Sequence, residues 1–229
     1  MARDTPLGFP AHTLPYRCGE FTTLSTASPV PFCLALNDSF RAFSFGGNGM
    51  NDVESMRLAL ALAEQGRGWT APNPMVGAVI VKDGAVIGQG WHERYGEPHA
   101  ERNALAACTA DPAGATMYVT LEPCCHHGKQ PPCVDAILAS GIRRVVIGSA
   151  DPNPLVAGKG VAILRARGVE VTENVLQEEC DALNRIFFHY ITTGRPFVSM
   201  KYAMTMDGKI AAYTGASKWV TGETARRHV

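Results

Sequence analysis

The 229 residues include 21 Lys and Arg against 21 Asp and Glu, so the formal net charge is zero. A chain that is 46% hydrophobic and 18% charged can bury one or two globular cores and is too apolar to be disordered throughout. This charge balance disfavours the basic field that nucleic-acid binding requires, and no apolar run reaches the length of a membrane span.

Residues 1–49 are rich in Pro, Ser, Thr, Phe and Gly and show neither a helical nor a strand period. We predict that they form a disordered extension or spurious upstream sequence, with the start at Met50. The alternative, a targeting peptide, requires an Arg-rich amphipathic stretch, whereas Arg3, Arg17 and Arg41 are scattered. Seven cysteines without an apolar signal core predict reduced thiols and a cytoplasmic location.

The first predicted elements are a helix and a β-hairpin. Asp52 can cap a helix that ends at Gly66. Strands are predicted at 76–81 and 85–90, because the intervening Asp83-Gly84 is typical of a two-residue hairpin turn.

Helices and strands then alternate along the chain. The predicted helices are 99–108, 133–140, 160–167 and 175–190, and the predicted strands are 115–121, 144–149 and 169–172. Strands that alternate with helices after a hairpin predict a mixed sheet with helices on both faces, a three-layer α/β/α fold. Such sheets bind ligands at the ends of their strands.

Residues that can bind a metal or transfer protons lie at predicted strand ends and helix starts: His99-Ala100-Glu101, Pro123-Cys124 and Cys133. One imidazole and two thiolates can hold zinc and leave a fourth position for water, which zinc makes more acidic. A carboxylate two residues after the histidine can then move protons, as in the zinc nucleobase deaminases. We therefore predict His99, Cys124 and Cys133 as ligands of one zinc ion and Glu101 as the catalytic residue.

The two cysteines lie nine residues apart, whereas in the common nucleoside deaminases the second follows the first by three, a position held here by His127. The intervening loop, Cys-His-His-Gly-Lys-Gln-Pro-Pro-Cys over 125–133, resembles the deaminase half of the RibD family of bifunctional riboflavin-biosynthesis deaminase/reductases. The likeness runs from about Asp52 to the end of the chain. It implies a cytidine-deaminase-like fold followed by the start of a dihydrofolate-reductase-like domain.

The resemblance also implies a substrate, a diaminopyrimidinone that carries a ribosylamino phosphate and whose 2-amino group is replaced by water. The positions that match substrate-binding residues of the family are Asn73, His92, His126, Lys129, Asp151 and Asn153. Lysine and histidine suit the phosphate, whereas asparagine and aspartate suit a base edge or ribose hydroxyls. The alternatives are that each Asn-Pro is ordinary turn chemistry, that Asp151 caps a turn and that His92 is only a loop residue.

Arg195-Pro196 is predicted to separate a deaminase domain at 50–194 from the first part of a reductase domain at 195–229. In the family that domain reduces the ribosyl group with NADPH. By resemblance, Ser217 would contact substrate and Lys201, Ala203 and Trp219 would contact NADPH. The alternative is an edge strand with Trp219 as a core anchor. About 35 residues are too few for a complete domain, so we do not expect the chain alone to perform the reduction.

The metal motif has three rival interpretations. A tRNA or DNA base deaminase is disfavoured by the charge balance and by the long cysteine spacing. A structural zinc module would need a fourth ligand from Cys125, His126 or His127, although adjacent cysteines do not readily chelate one ion. A Cys124–Cys133 disulfide would need an oxidising compartment. We therefore expect a small-molecule partner, with neither nucleic acid nor membrane, and leave homo-oligomerisation open.

Overall fold

The computed structural model describes residues 50–227, so the predicted extension at 1–49 lies outside the described residues. The sheet strands are β1 (Gly77–Lys82), β2 (Ala85–Trp91), β3 (Thr116–Leu121), β4 (Arg144–Ser149) and β5 (Glu170–Thr172). The helices are α1 (Asp52–Ala63), α2 (Ala100–Ala106), α3 (Cys133–Ala139), α4 (Lys159–Ala166), α5 (Gln177–Leu183), α6 (Arg185–Thr193) and α7 (Glu223–Arg227).

The five strands form one mixed sheet in the order β2-β1-β3-β4-β5. Strand β1 pairs antiparallel with β2 and with β3, and β3, β4 and β5 run parallel. Asp83 and Gly84 join β1 to β2 with φ angles of 51° and 79°, the left-handed pair that a tight hairpin turn requires. The predicted hairpin is therefore confirmed.

Each face of the sheet carries its own hydrophobic core, because successive side chains of a strand point to opposite faces. Ala78 and Ile80 of β1 belong to the core beneath α2, α3 and α4. Val79 and Val81 belong to the other core, together with Met56 of α1. The predicted three-layer α/β/α fold is confirmed.

The start of α1 differs from the prediction by one residue. Asn51 is the N-cap, and its side chain accepts a hydrogen bond from the backbone N–H of Glu54 (2.9 Å) while its own N–H donates to Glu54 (3.1 Å). Asp52 instead accepts hydrogen bonds from Tyr118 (3.0 Å) and Arg144 (2.7 and 2.9 Å). The cap predicted at Asp52 was wrong because these distant partners use its carboxylate.

The single helix predicted at 175–190 is also wrong, since Asn184 divides it into α5 and α6 with φ −109° and ψ 20°. The Asn184 side chain accepts from Met75 N–H and donates to Met75 C=O, each at 2.8 Å. This pairing holds the segment before β1 against the break between α5 and α6. It brings Phe187 of α6 to the wall of the cavity described below.

Within residues 198–227 no side chain is buried and no strand forms, and α7 is the only helix. Trp219 is 70% exposed and lies in no strand of this segment, so the alternative of an edge strand anchored by Trp219 stays a prediction for a complete reductase domain. Across the described part of the chain, no helix combines the length and apolar character needed to cross a membrane.

Candidate active site

Three elements bring the predicted metal ligands together. His99 is the N-cap of α2, Cys124 follows the end of β3, and Cys133 is the first residue of α3. His99 Nδ1 lies 3.5 Å from Cys124 Sγ and 3.3 Å from Cys133 Sγ, and all three ligand atoms lie within 4.8 Å of one another. One imidazole nitrogen and two thiol sulfurs form a donor set that fits zinc.

The environment of Cys124 favours the thiolate that a metal ligand must supply. Hydrogen bonds from the Cys133 side chain and from His99 lower the pKa of Cys124 to about 4, against the opposing effect of burial. The backbone N–H of Cys133 also points at Cys124 Sγ, at 3.4 Å. The same hydrogen bond between Cys124 and His99 raises the pKa of His99.

Glu101 lies in the first turn of α2 and is 3% exposed. Burial, and then the negative charge of Cys124, raise the pKa of Glu101 to about 7. A carboxyl group whose pKa lies near neutrality can both accept and release a proton at physiological pH. The structure therefore places a suitable proton carrier beside the metal ligands.

A cavity of about 280 Å³ opens over this group. Its walls include nine of the predicted site residues: Asn73, His92, His99, Glu101, Cys124, His126, Lys129, Asp151 and Asn153. Cys133 lies behind the wall and is fully buried. The residues predicted for the reductase half do not line the cavity, and all four are exposed: Lys201, Ala203, Ser217 and Trp219.

His92 is buried in the cavity wall, 2% exposed, and both its ring nitrogens have partners. Nδ1 lies 3.1 Å from the carbonyl oxygen of Pro98, and Nε2 lies 3.2 Å from the amide nitrogen of Asn73. Since a carbonyl only accepts, Nδ1 carries the proton and Nε2 accepts from Asn73. Burial lowers the pKa of His92. This geometry favours orientation of Asn73 by a neutral ring over the phosphate contact that its residue type suggested.

The loop after β4 combines the two interpretations weighed for Asp151 and Asn153. Asp151 accepts from Asn153 N–H (2.8 Å), and the Asn153 side chain accepts from Leu155 N–H (3.0 Å), so both form turn bonds while lining the cavity. Burial, and then the charge of Glu122, raise the pKa of Asp151 to about 6.

Glu122 also lines the cavity, although it is not among the predicted site residues. It is 3% exposed, and its carboxylate accepts from the N–H groups of Gly158 (2.9 Å) and Val161 (3.3 Å) at the start of α4. Its position at the end of β3, directly before Pro123 and Cys124, was the only available sequence signal. It connects the segment that carries Cys124 to the segment that follows Asp151.

Other residues that line the cavity were not predicted as site residues: Tyr95, Gly96, Glu97, Gln130 and Phe187. Cys125 lies outside the ligand group, with its thiol 3.7 Å from the carbonyl oxygen of Leu155. His127 is exposed.

Residues 50–149 match the family model described as the cytidine and deoxycytidylate deaminase zinc-binding region. Together with the three-layer fold and the His-Cys-Cys group, this match defines a zinc-binding domain of the cytidine-deaminase class. Residues 196–229 match a second family model, the RibD C-terminal domain.

Similar proteins identify the family within this class. The riboflavin biosynthesis protein RibD of Actinobacillus pleuropneumoniae is 63% identical over 180 residues, which are 79% of this chain and 48% of that protein. RibD of Escherichia coli is 48% identical over 180 residues, covering 79% and 49%. The crystal structure of a diaminohydroxyphosphoribosylaminopyrimidine deaminase/5-amino-6-(5-phosphoribosylamino)uracil reductase from Thermotoga maritima matches with a TM-score of 0.74 and 50% identity, covering 77% of this chain and 51% of that one. The chain belongs to the RibD family and contains its N-terminal deaminase half and the start of its reductase half. It spans about half the length of these relatives.

Proposed function

We propose that this chain catalyses the zinc-dependent hydrolytic deamination of riboflavin biosynthesis. Its substrate would be the diaminopyrimidinone ribosylamino phosphate, and the products would be the corresponding aminouracil and ammonia. The observation that carries this proposal is the convergence of His99, Cys124 and Cys133 beside the buried Glu101 at a cavity. The family supports the substrate, since the Thermotoga maritima relative is described as a diaminohydroxyphosphoribosylaminopyrimidine deaminase.

When held by His99, Cys124 and Cys133, zinc would supply a Lewis acid that makes water acidic near neutral pH. Glu101 would take one proton from the attacking water and deliver it to the pyrimidine ring nitrogen. It would then take the second proton from the resulting hydroxyl group and deliver it to the amino group, which leaves as ammonia. Its raised pKa suits both directions of transfer. Burial of its carboxyl group separates these transfers from bulk water.

The remaining cavity residues would bind the substrate. Asn73, whose amide nitrogen is committed to His92, would present its carbonyl oxygen to a donor on the pyrimidine. Asp151 and Asn153 would bind the base edge or the ribose hydroxyls, and Lys129 would bind the phosphate.

His126 is also suited to a substrate contact. It lines the cavity, and its buried Nδ1 has no hydrogen-bond partner within residues 50–227. A buried polar atom without a partner is costly, and a polar group of the substrate would satisfy it.

We also propose a deaminase domain at 50–194 and the beginning of an NADPH-dependent reductase domain at 195–229, which the RibD C-terminal match at 196–229 supports. In a complete reductase domain, Ser217 would contact substrate and Lys201, Ala203 and Trp219 would contact NADPH. We further propose a cytoplasmic location, supported by the five free cysteines of the described residues, since thiols stay reduced in that compartment.

The test measures zinc content and ammonia release together. Wild-type protein is expected to bind a single zinc ion and to release ammonia from the proposed substrate, the diaminopyrimidinone mononucleotide. Glu101→Gln should keep the zinc and lose at least about a hundredfold in rate, because it removes the proton carrier. Glu178→Gln, the same change at an exposed residue of α5, should match the wild type.

Two outcomes would contradict the proposal. Zinc without turnover in the wild-type chain would favour the structural zinc module. Ammonia released from RNA or DNA oligonucleotides, and not from the mononucleotide, would favour the nucleic-acid base deaminase.

A further inference from the structure

Within residues 50–227, Lys129 is the only lysine or arginine that lines the cavity. Four carboxyl groups also line its wall: Glu97, Glu101, Glu122 and Asp151. Negative charges repel an anionic group wherever they are not neutralised. The position of the Lys129 ammonium therefore decides where an anionic part of the substrate can bind.

Lys129 lies in the loop between Cys124 and Cys133. Few hydrogen bonds within this loop fix the position of Lys129. Within the loop, one backbone hydrogen bond joins Gly128 N–H to Gln130 C=O at 3.2 Å. Lys129 itself is exposed, and fixing a long lysine side chain costs rotamer entropy. A defined ammonium position therefore needs contacts from outside the loop.

The turn that contains Tyr95 and Gly96 supplies these contacts. The Lys129 ammonium lies 4.0 Å from the centroid of the Tyr95 ring, within the range of a cation–π interaction. The Gln130 side chain donates to the carbonyl oxygen of Gly96 at 2.8 Å. A Cβ at Gly96 would lie 3.7 Å from Lys129 Cδ, so the lysine side chain runs close beside this glycine.

The turn is anchored on its other side. Tyr95 N–H donates to the carbonyl oxygen of Trp69 at 3.1 Å, and Glu97 N–H donates to that of Arg94 at 3.1 Å. The Arg94 guanidinium lies 4.8 Å from the Trp69 ring centroid. Tyr95 therefore presents its ring to Lys129 from a held backbone.

We propose that Tyr95 is a positioning residue that holds the Lys129 ammonium at the rim of the cavity to receive the phosphate of the substrate. This inference rests on the proposed function. It assigns to Tyr95 part of the preference for a phosphorylated over an unphosphorylated substrate. Because the ring is 45% exposed, water competes for the ammonium and the effect of Tyr95 is modest.

The test compares Tyr95→Leu, which removes the π face, with Tyr95→Phe, which keeps it. For the phosphorylated substrate, Tyr95→Leu should raise KM about two- to fivefold, the range of an exposed cation–π contact, with kcat nearly unchanged. Tyr95→Phe should retain a near wild-type KM. With the dephosphorylated substrate, Tyr95→Leu should leave KM nearly unchanged.

A double-mutant cycle isolates the pair. In a Lys129→Met background, Tyr95→Leu should add no further loss, because the ammonium that it positions is absent. Arg226→Met is the matched control, since it removes a cation–π contact, with Trp219 at 4.2 Å, that involves neither Lys129 nor this turn, and it should not change the phosphate preference.

The inference is overturned if Tyr95→Leu weakens both substrates equally, if Tyr95→Phe is as impaired as Tyr95→Leu, or if the two losses add in the double mutant. A failure of the proposed function can be distinguished from these results. Calorimetric affinity for the phosphorylated substrate, measured in a Glu101→Gln background, tests Tyr95 without any turnover and should fall by the same factor.

Discussion

At the scale of single residues, Glu122 supports the site through hydrogen bonds to the backbone and has no predicted role in the reaction itself. Its two carboxylate oxygens accept from Gly158 N–H and Val161 N–H, groups that the start of α4 leaves without helical partners. A negative charge at this helix end is also electrostatically favourable. Glu122 thereby fixes the position of α4 relative to the segment that carries Cys124.

Replacing Glu122 with Gln should therefore destabilise the fold. One oxygen becomes an NH₂ group that cannot accept, which leaves a buried N–H without a partner and costs about 1–3 kcal/mol in the free energy of unfolding. Urea unfolding of the zinc-loaded protein measures this loss.

Glu178→Gln provides the matched control for Glu122→Gln. It makes the same chemical change in the first turn of α5, at an exposed side chain, and should cost no more than about 0.5 kcal/mol. Equal losses in the two variants would show that the carboxylate of Glu122 has no special role.

The sequence predicts the metal group but not its supports, because motif residues are recognised by local spacing. His99 and Glu101 are two residues apart, and the structure brings them beside Cys124 and Cys133 as the motif predicts. The groups that the side chains of Glu122 and Tyr95 contact lie more than 30 residues away along the chain. Only the fold brings these groups together, so no local pattern predicts them.

At the scale of elements, one ion pair joins the first helix to the sheet. The Asp52 carboxylate at the start of α1 binds the Arg144 guanidinium at the start of β4 (2.7 Å), and Tyr118 of β3 donates to it. The hydrogen bond from Arg144 holds the pKa of Asp52 below its usual 3.8. Because the pair is partly buried, it is screened less than an exposed pair.

This pair predicts a pH dependence of stability. Since the pKa of Asp52 is lower in the folded state, the pair stabilises the fold above about pH 4 and the contribution is lost as the pH falls through the folded-state pKa. Asp52→Asn should cost about 1 kcal/mol near neutral pH, after allowance for solvent screening. The difference from wild type should disappear at low pH in urea unfolding.

Glu64→Gln is the control for this prediction, because Glu64 forms an ion pair with Arg67 in which both side chains are exposed. Its effect near neutral pH should be smaller than that of Asp52→Asn. A gap between Asp52→Asn and wild type that persists at a pH well below the folded-state pKa of Asp52 would show that the loss comes from packing and not from charge.

Element positions were predictable where the signal is local. The hairpin at Asp83-Gly84 depends only on two residues that accept positive φ, and the alternation of helices and strands gave the three layers. The break at Asn184 was missed because its partner, Met75, lies 109 residues away. Residues 177–183 and 185–193 both form helices, so helical propensity alone could not mark the point where they separate.

At the scale of the whole molecule, the metal group joins three parts of the fold that are separate in sequence. His99 comes from the start of α2, Cys124 from the end of β3 and Cys133 from the start of α3. In the described residues, the hydrogen bonds between His99 and the two cysteines involve only the atoms that would bind the metal, His99 Nδ1 and the two Sγ atoms. A metal held by all three would therefore couple the two helices to the sheet.

Removal of the metal should consequently destabilise the entire domain and not only the loop between the cysteines. A ligand that binds only the folded state, present at a hundredfold excess over its Kd, contributes about 2.7 kcal/mol to the free energy of unfolding. Chelation should therefore lower Tm, and added zinc should restore it. Glu101→Gln, which keeps the three ligands, should show the same shift, whereas Cys133→Ser should start with a lowered Tm and respond weakly to chelator. An unchanged Tm after verified loss of zinc from the wild type would contradict this coupling and confine the metal to chemistry.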